Sequence, residues 1–583
     1  MKPLSRRDFL KASALSMGAV VISTGLAGCL SSSDDDDRSV AFTHGVASGD
    51  PLQDGIMLWT RVKPENADPV TVDWEVATDA GFSSLTHSGS TQANAAHDFI
   101  VKVDVRNLAP GQTVYFRFRA AGKTSPTGTT RTLPAGDVSE VSFAVMSCAN
   151  YPAGYFHVYA EAAKEEKLDA VIHLGDYIYE YGAGGYATED AEALGRTLPA
   201  DNSNELLTLA DYRKRYALYR SDPDLQNLHA AAPFISVWDD HEVANDAWRE
   251  GAENHNADEG DYTARKLGAL QAYFEWTPIR PVSEGNESVI YRSFNFGNLV
   301  SLHMMDTRII GRDEQLSYAN YLTGSGIDSA RFTADLTDSN RTMLGAEQLG
   351  WVQNAIGGST ATWQVLGQQV LMGRMNLPAE LLSGFLNPSP AILALFQELA
   401  ILKTRYLQGD PSLTAGEIAR VETVLPYNLD AWDGYVYERE TLLETARATN
   451  KNLVVLAGDT HNAWASDLKT VGGEQVGVEF ATSSVSSPGL EEYLGLPEDQ
   501  IAGAEQAIAL LVDDLKYVNV NQRGYMMVTF TPDEARADWR FVSTIKDKDY
   551  GLDTARAQSL TTLPGAGNRK IVIGGSGITT PTS

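Results

Sequence analysis

Apolar and polar positions alternate with a period near two through most of residues 40–135. The alternation covers four segments, residues 55–62, 70–76, 99–105 and 113–120, and turn-type residues separate several of them. Short alternating segments at this spacing are typical of the strands of a small β-sandwich. The sequence therefore predicts an all-β domain of the immunoglobulin or fibronectin type at residues 39–135. No cluster of ligand-type residues falls in it, so we expect a scaffolding or lid role.

The pattern changes after residue 135 to short apolar runs separated by segments of helical period. The apolar runs, each typical of a buried strand, are residues 141–146, 170–174, 233–238, 299–305, 363–371 and 452–457. The helical segments are residues 155–167, 206–220 and 264–276, with 379–406 helical in pieces. Strands separated by helices predict an α/β domain at residues 140–545. The tail, residues 546–583, is rich in Gly, Thr and Pro and is expected either to pack back or to fray.

Side chains that commonly bind metals follow most of these apolar runs. They are Ser147 and Cys148, Asp176 and Tyr179, Asp239 to Glu242 with Asn245, Asp306 to Arg308, Gln368 and Gln369, and Asp459 with His461. Each cluster alone has a structural interpretation, such as a Gly-Asp turn or a packed histidine. In an open α/β sheet, however, the carboxyl ends of the strands meet at one crevice. The repetition of one arrangement therefore predicts a shared metal site.

Length, charge and cysteine content narrow the function. The 583 residues predict two or three domains, and 43% hydrophobic residues are typical of a globular protein. The formal charge of −30 argues against a nucleic-acid groove, because phosphate contacts need the opposite sign. An anionic substrate would need local positive charge, which bound metal ions would supply. Two cysteines far apart exclude a disulfide framework.

The N-terminus has the form of an export signal. The segment Ser5-Arg-Arg-Asp-Phe-Leu-Lys11 resembles a twin-arginine motif, and the apolar segment after it is too short for a comfortable membrane span. It ends in Leu26-Ala-Gly-Cys29, which resembles a lipoprotein processing box. We therefore expect residues 1–28 to be a signal peptide, Cys29 to carry a lipid anchor and residues 29–38 to form a polar tether. The alternative is an ordinary cleaved signal in which Cys29 is incidental. A periplasmic or cell-surface monomer, in contact with membrane only through its anchor, is expected.

Several motifs together resemble one family. They are Phe42-Thr-His-Gly-Val-Ala-Ser-Gly-Asp-Pro51, His173-Leu-Gly-Asp-Tyr-Ile-Tyr-Glu180, Trp238-Asp-Asp-His-Glu242, Asp430-Ala-Trp-Asp-Gly-Tyr435 and Leu456-Ala-Gly-Asp-Thr-His461. Over residues 39 to 545 the chain resembles the PhoD-type alkaline phosphatases, within the calcineurin-like or purple-acid-phosphatase-like metallophosphoesterases. The resemblance implies a two-sheet α/β sandwich flanked by helices, preceded by the β-sandwich. It also implies hydrolysis of phosphate esters, monoesters first and diesters as a further class, by metal-activated hydroxide.

The motif positions carry ligands that differ from those of the wider superfamily. Cys148 stands where the superfamily has Asp, Asp240 where it has Asn, and Gln368 where it has His. A thiolate, phenolate, imidazole and carboxylate set suits iron(III); its members here are Cys148, Tyr179, His461 and Asp176. An oxygen-only set favours calcium; its members are Asp240, Asp459, the shared Asp176, and Asn245 or Gln368. PhoD-like enzymes are similar in using Fe³⁺ and Ca²⁺. For Cys148 alone, a buried thiol packed as a small hydrophobe is the alternative.

Two further residues are candidates for direct roles in catalysis, and each has a second interpretation. His241 either donates to the phosphate or only orients Asp240. Arg308 either grips a phosphate with two hydrogen bonds or is an ion-paired core arginine. Asp433 and Tyr435 are expected to shape the substrate mouth.

Two other functions remain open at this point. One is a phosphodiesterase or phospholipase D-like hydrolase on the same scaffold, since the sequence does not show what surrounds the leaving group. The other is a non-catalytic surface protein with structural metal sites, which would have every coordination position filled by the protein.

Overall fold

The computed structural model describes residues 20–23, 39–282, 288–324, 326–386 and 391–573. The expected lipidation site, Cys29, the tether at residues 29–38 and most of the expected signal peptide lie outside the described residues. Within the described part of the chain, no helix combines the length and apolarity needed to cross a membrane.

The N-terminal region is built from short strands, as its period-two pattern predicts. They are β1 Val20–Ser23, β2 Val40–Ala41, β3 Val46–Gly49, β4 Gly55–Arg61, β5 Lys63–Pro64, β6 Val70–Ala77, β7 Leu85–Ala93, β8 Ile100–Arg106, β9 Thr113–Ala120, β10 Lys123–Thr124 and β11 Gly128–Arg131. All four predicted strands are confirmed as β4, β6, β8 and β9. The sequence did not predict β7, because that edge strand is mostly exposed and polar.

Two sheets enclose the N-terminal core. One contains β10, β9, β6 and β7 in that order, with β11 also on β9, and the other contains β8, β4 and β3. The alternation in β6 buries Val70, Val72 and Trp74 and leaves Thr71 exposed. These side chains pack with Phe116 and other buried residues of this region. The period-two pattern thus fixes which strand face forms the core.

The rest of the chain alternates strands and helices. Its strands are β12 Val141–Met146, β13 Ala170–His173, β14 Phe234–Ser236, β15 Arg292–Phe296, β16 Val300–Met304, β17 Leu322–Thr323, β18 Gly326–Ile327, β19 Trp363–Gly367, β20 Asn376–Pro378, β21 Val424–Pro426, β22 Asn452–Ala457, β23 Ala463–Lys469, β24 Gln475–Ala481, β25 Leu515–Asn519, β26 Gly524–Phe530, β27 Ala535–Phe541, β28 Gln558–Thr562 and β29 Val572–Ile573.

The α-helices are α1 His157–Ala162, α2 Ala191–Leu194, α3 Leu209–Arg220, α4 Pro223–Ala231, α5 Tyr262–Trp276, α6 Ser329–Leu336, α7 Gly345–Gly358, α8 Ala379–Leu386, α9 Ala391–Leu407, α10 Ala415–Glu422, α11 Val436–Ala448, α12 Leu490–Tyr493 and α13 Ile501–Leu511. Short 3-10 helices are Ala95–His97, Ala200–Asn202, Tyr318–Tyr321, Trp432–Gly434 and Glu498–Gln500. The helix predicted at residues 155–167 is shorter than expected, whereas those at 206–220 and 264–276 are confirmed as α3 and α5.

Two mixed sheets form the sandwich that the family resemblance implies. One runs β14-β13-β12-β26-β27-β28-β29 and the other runs β15-β16-β19-β22-β24-β23-β25. Strands β12, β13 and β14 are parallel neighbours, and so are β16, β19, β22 and β24. Aromatic rings from both sheets meet between them: the ring centroids of Trp363 and Phe530 are 6.1 Å apart and those of Phe480 and Trp539 are 5.8 Å apart. The main core therefore lies between the sheets.

The N-terminal sheet is continuous with one sheet of the sandwich. Strand β3 pairs with β14 where Gly49 faces Phe234, which joins the two into one eleven-stranded sheet. A Cβ on Gly49 would lie 2.6 Å from the Pro278 carbonyl oxygen, so the close approach requires glycine. The Trp59 indole also donates to the Glu275 carbonyl across this junction, at 2.8 Å. The N-terminal region is thus built into the α/β frame.

The described part of the tail packs back onto the sandwich. Strand β28 pairs antiparallel with β27, and β29 pairs with β28. The tail at residues 546–583 was expected either to pack back or to fray, and up to residue 573 it packs back.

A buried ion pair secures the junction and generates a stability prediction. Asp50 is 1% exposed, its carboxylate lies 2.6 Å from Arg292 Nη2, and it accepts the Arg280 backbone N–H at 2.8 Å. We expect Asp50→Ala to lower the free energy of unfolding by roughly 3–5 kcal/mol, because it leaves a buried guanidinium unpaired. Urea unfolding followed by tryptophan fluorescence measures this.

The matched control is Asp54→Ala. Asp54 has a side chain 63% exposed and lies 3.8 Å from Arg106. Its removal should change the free energy of unfolding by no more than about 0.5 kcal/mol. Equal effects of the two substitutions would show that the Asp50 pair does not hold the junction.

Candidate metal centre

The candidate ligands follow strands whose ends lie side by side. Cys148 follows β12, Asp176 follows β13, and Asp240 follows β14 in one sheet, while Asp459 and His461 follow β22 in the other. The strands β12, β13 and β14 are parallel, so their carboxyl ends share one edge. A backbone bridge between Ser147 and Ser484 links this edge to the loop after β24. The sandwich therefore brings loops from distant parts of the sequence to one place.

Four donors meet at the first group. The Cys148 sulfur, an Asp176 carboxylate oxygen and a His461 ring nitrogen all lie within 4.8 Å of one another, and all three residues are buried. The Tyr179 hydroxyl lies 3.2 Å from Asp176 Oδ2 and 3.1 Å from His461 Nε2. The structure thus brings together the four residues that the sequence predicts as one ligand set.

Two further groups lie beside the first: the second shares Asp176 with it, and the third shares Asp240 with the second. One contains Asp176, Asp240 and His241, and the other contains Asp239, Asp240 and Asp459, again with candidate ligand atoms within 4.8 Å. Among the described residues, the buried Asp239 Oδ2 has no hydrogen-bond partner. An unpaired buried carboxylate oxygen is costly, and a cation would satisfy it.

The backbone at the ligands is held in a conformation that side chains rarely adopt. The φ angles are 62° at Cys148, 53° at Asp176, 65° at Asp459 and 62° at His461. Each such residue costs of order 1–3 kcal/mol, and such residues cluster at functional sites. At Gly175, with φ of 108°, a Cβ would lie 2.4 Å from the backbone nitrogen of Asp239. The fold therefore holds these residues in backbone conformations that they do not favour by themselves, and their side chains converge on one point.

Glu242 ties two ligand loops together. Its buried carboxylate accepts backbone N–H groups from Asp176 at 3.0 Å, Tyr177 at 2.5 Å and Asp239 at 2.6 Å. These donors belong to the loops after β13 and β14. The glutamate thus fixes the separation of the candidate ligands without joining any of the three groups.

His241 is held by Glu180, which the sequence analysis did not single out. His241 Nδ1 lies 2.7 Å from Glu180 Oε2, and Glu180 also accepts hydrogen bonds from the Asn245 backbone and the Asn254 amide. Burial lowers the pKa of His241, but the Asp240 and Glu180 carboxylates outweigh it and raise that pKa well above its usual value. Glu180 therefore orients the imidazole through Nδ1, and Nε2 is not part of this contact. The signal that could have found Glu180 is its place four residues after Asp176.

Arg308 is the ion-paired core arginine of the two interpretations. It is 1% exposed, its Nε donates to Asp239, and its two Nη atoms lie 2.7 Å from Asp430 and 2.5 Å from Asp459. All three guanidinium nitrogens are engaged, so the prediction that Arg308 contacts substrate phosphate is not supported. Its positive charge instead offsets the carboxylates around it.

Both polar atoms of the Gln368 amide are engaged within the protein. Its Oε1 accepts from the Trp432 indole at 2.5 Å and its Nε2 donates to the Val370 carbonyl at 2.7 Å. We therefore do not assign it as a ligand. The Asn245 amide donates to Glu253 at 3.2 Å, and its assignment as a ligand stays a prediction.

The residues expected at the substrate mouth lie deeper than predicted. Asp433 is 6% exposed and accepts the Met375 N–H, and the fully buried Tyr435 donates to the Asp313 carbonyl. This expectation was wrong because tertiary packing covers both side chains.

Two aspartates that were not predicted as site residues also belong to the centre. Asp246 has a φ of 52° and its N–H donates to Asp240 Oδ2 at 2.6 Å. Burial raises the pKa of Asp246 to about 7, and the charges of Asp430 and Asp240 add to it. Asp430 pairs with Arg308 and with Arg312. Asp246 directly follows the predicted Asn245, and Asp430 is the first residue of the motif Asp430 to Tyr435, although neither was predicted as a site residue.

The electrostatics of the centre favour a bound cation. Burial raises the pKa of the Cys148 thiol well above its usual range, and the charge of Asp176 is the second cause. Burial also raises the pKa of Asp176 to about 6 and lowers that of His461 to about 3. For Asp240, burial raises the pKa, but Arg308 and His241 outweigh it and lower it to about 2. A cation would stabilise the anionic forms of these ligands, so the donor chemistry fits a metal centre.

Fold and site together define a metal-dependent hydrolase of the α/β sandwich class, and comparison with known proteins specifies it. The family model described as PhoD-like phosphatase matches residues 143–539, and the model for the N-terminal domain of PhoD-like phosphatases matches residues 28–134. The chain belongs to the PhoD-like phosphatase family. It is therefore a phosphoric ester hydrolase with alkaline phosphatase function.

Two relatives cover nearly the whole chain. Alkaline phosphatase D of Bacillus subtilis (strain 168) is 35% identical over 549 residues, which is 91% of this chain and 83% of that protein. A solved structure described as the structure of PhoD superposes with a TM-score of 0.72 at 32% identity, covering 92% of each chain.

The role of Glu242 generates a prediction. Glu242→Gln keeps the side-chain size but turns an NH₂ group toward backbone N–H donors. We expect bound metal to be lost at a roughly 10- to 100-fold lower chelator concentration, which is typical for partners that orient ligands. Elemental analysis after dialysis against graded chelator measures this.

The control is Glu417→Gln, at a carboxylate that accepts the Thr414 N–H at 2.8 Å on the surface at the start of α10. It should leave metal retention unchanged. Identical chelator profiles for the two variants would show that Glu242 does not hold the centre.

Proposed function

We propose that this chain is an exported alkaline phosphatase that hydrolyses phosphate monoesters at a centre of iron(III) and calcium. The observation that carries the proposal is the meeting of sulfur, phenol, imidazole and carboxylate donors in the first group. Cys148, Asp176, Tyr179 and His461 would hold the iron. Asp240 and Asp459 would hold calcium, with Asp176 shared between the ions.

The contacts around the first group support iron(III). His461 Nδ1 donates to the Pro488 carbonyl at 2.7 Å, which leaves Nε2 as the nitrogen with a lone pair, 3.1 Å from the Tyr179 hydroxyl. The Ser487 hydroxyl donates to the Tyr179 oxygen at 2.6 Å, which stabilises negative charge there. Anionic sulfur and oxygen donors together suit a trivalent iron better than they suit calcium or magnesium.

The neighbouring carboxylates support calcium. The third group offers oxygen atoms alone, from Asp239, Asp240 and Asp459. Calcium takes six to eight oxygen ligands in flexible geometry. Asp246 lies beside this group: its backbone N–H donates to Asp240, and the charges of Asp430 and Asp240 act on its carboxylate.

The residues of the chain divide the work of hydrolysis between them. When bound, ions of this kind lower the pKa of water and neutralise phosphoryl oxygens, as phosphate-ester hydrolysis requires. Glu180 holds His241 at Nδ1, and when the imidazole is protonated its Nε2 would donate to a phosphoryl or leaving-group oxygen. The buried Arg308 offsets the negative charge of the ligand carboxylates Asp240 and Asp459. The burial of the ligands excludes bulk water, which strengthens each of these interactions.

The N-terminal segment supports export. Ser5 to Lys11 has the twin-arginine form, and Cys29 stands at the processing box. Because this route moves folded proteins, the buried centre could be loaded before export. We propose that the mature chain begins at a lipidated Cys29 and is tethered through residues 29–38, in the periplasm or at the cell surface.

Replacing the shared carboxylate tests the function. We expect Asp176→Asn to lose both iron and calcium, because Asp176 belongs to two of the groups of candidate ligands and a neutral amide would replace its carboxylate. Turnover of 4-nitrophenyl phosphate should fall to background. The unmodified enzyme should hydrolyse this monoester faster than bis(4-nitrophenyl) phosphate. Elemental analysis and initial rates measure both effects.

Asp261→Asn is the control, since Asp261 caps α5 by accepting the Ala264 N–H and asparagine caps helices equally well. It should retain metals and turnover. Full activity of Asp176→Asn would contradict the proposed centre, and faster turnover of the bis-ester would favour the phosphodiesterase.

A further inference from the structure

Three tyrosines lie beside the metal centre, and we call them the aromatic collar: Tyr181 and Tyr186, whose rings contact its residues, and Tyr493, which is hydrogen-bonded to Tyr186. Tyr181 and Tyr186 lie on the loop that follows β13 and carries Asp176 and Tyr179. Tyr493 comes from α12, which lies more than 300 residues later in the sequence. The collar therefore assembles only in the folded chain.

The collar rings pack directly against the catalytic groups. Ring centroids of Tyr181 and Tyr186 are 5.7 Å apart. Tyr186 stacks on Tyr179 at 5.9 Å and on His461 at 6.2 Å. Tyr181 lies 5.5 Å from the His241 ring. Two collar rings thus contact Tyr179, His241 and His461 directly.

Hydrogen bonds hold the collar in place. The Tyr493 hydroxyl donates to the Tyr186 hydroxyl at 3.0 Å, and the Tyr186 hydroxyl donates to the Pro488 carbonyl at 3.4 Å. Pro488 is the residue whose carbonyl also fixes His461. The rings are thus pre-ordered, which reduces the entropy cost of binding a ligand against them.

The outermost ring is exposed although its hydroxyl points inward. Tyr493 is 54% exposed as a residue. Its hydroxyl nevertheless hydrogen-bonds to Tyr186, whose ring stacks on His461. Tyr493 therefore offers an exposed ring that is tied through Tyr186 to the metal centre.

We propose that the aromatic collar binds the leaving group and makes the enzyme prefer phosphate esters whose alcohol carries a flat aromatic ring. This inference rests on the proposed phosphatase function. With the phosphoryl group at the ligand groups, the ester oxygen and its substituent extend toward the collar. Aromatic pairs gain about 0.5–1.5 kcal/mol beyond the burial of their area, a gain that a saturated ring of similar size does not make. The collar therefore selects for a ring with a π face.

The test compares benzyl phosphate with cyclohexylmethyl phosphate, whose leaving groups are both primary alkoxides on a six-membered ring. We expect the unmodified enzyme to have a kcat/KM for the benzyl ester roughly 2- to 12-fold above that for the cyclohexylmethyl ester, the fold-change that such a pairing energy gives. Tyr493→Ala should bring this ratio close to one. Tyr493→Phe keeps the ring and should keep the ratio.

Tyr437→Ala is the matched control, because Tyr437 is a helical tyrosine 49% exposed and outside the collar. It should leave the ratio unchanged. A ratio near one in the unmodified enzyme, or an unchanged ratio in both Tyr493→Ala and Tyr181→Ala, would overturn the inference while leaving the phosphatase function intact. Failure to hydrolyse either ester would instead overturn both.

Discussion

Several carboxylates share a buried space at the edge of two sheets, and this electrostatic constraint governs the rest of the structure. Asp176, Asp239, Asp240 and Asp459 lie within two overlapping groups of candidate ligands. Like charges this close oppose each other's ionisation. Arg308 compensates from within the protein, and a bound cation would complete the balance. The strained backbone at the ligand residues and the hydrogen bonds that Glu242 accepts from two ligand loops both hold these charges together.

The frame around this cluster is rigid because it is continuous. Parallel strands of both sheets end at the centre, and the N-terminal sheet joins one of them through β3 and β14. The chain crosses the junction at Gly49 and Asp50, where close packing and buried ion pairs leave little freedom. The N-terminal region is thus joined directly to β14, the strand that precedes Asp239 and Asp240.

Much of the fold and part of the centre could be predicted from the sequence, for a physical reason. Buried strands such as β12 and β22 are apolar runs, so their bounds were predicted to the residue. Ligands directly after such strands, Cys148 and His461 among them, follow from the rule that parallel strands end together. Contacts between loops that are far apart in the chain leave no pattern in the sequence of either loop. Asp430 and Tyr493 were not predicted as site residues for that reason. Gln368 is not assigned as a ligand because its amide oxygen accepts from the Trp432 indole.

The identity of the ion at the first group is the central claim, and anomalous X-ray scattering tests it most directly. Crystals of the purified protein would be measured on both sides of the iron absorption edge. The account predicts an iron peak bounded by the Cys148 sulfur, the Asp176 carboxylate, the Tyr179 oxygen and His461 Nε2. A zinc signal at that position, or an iron peak away from these four atoms, would contradict it.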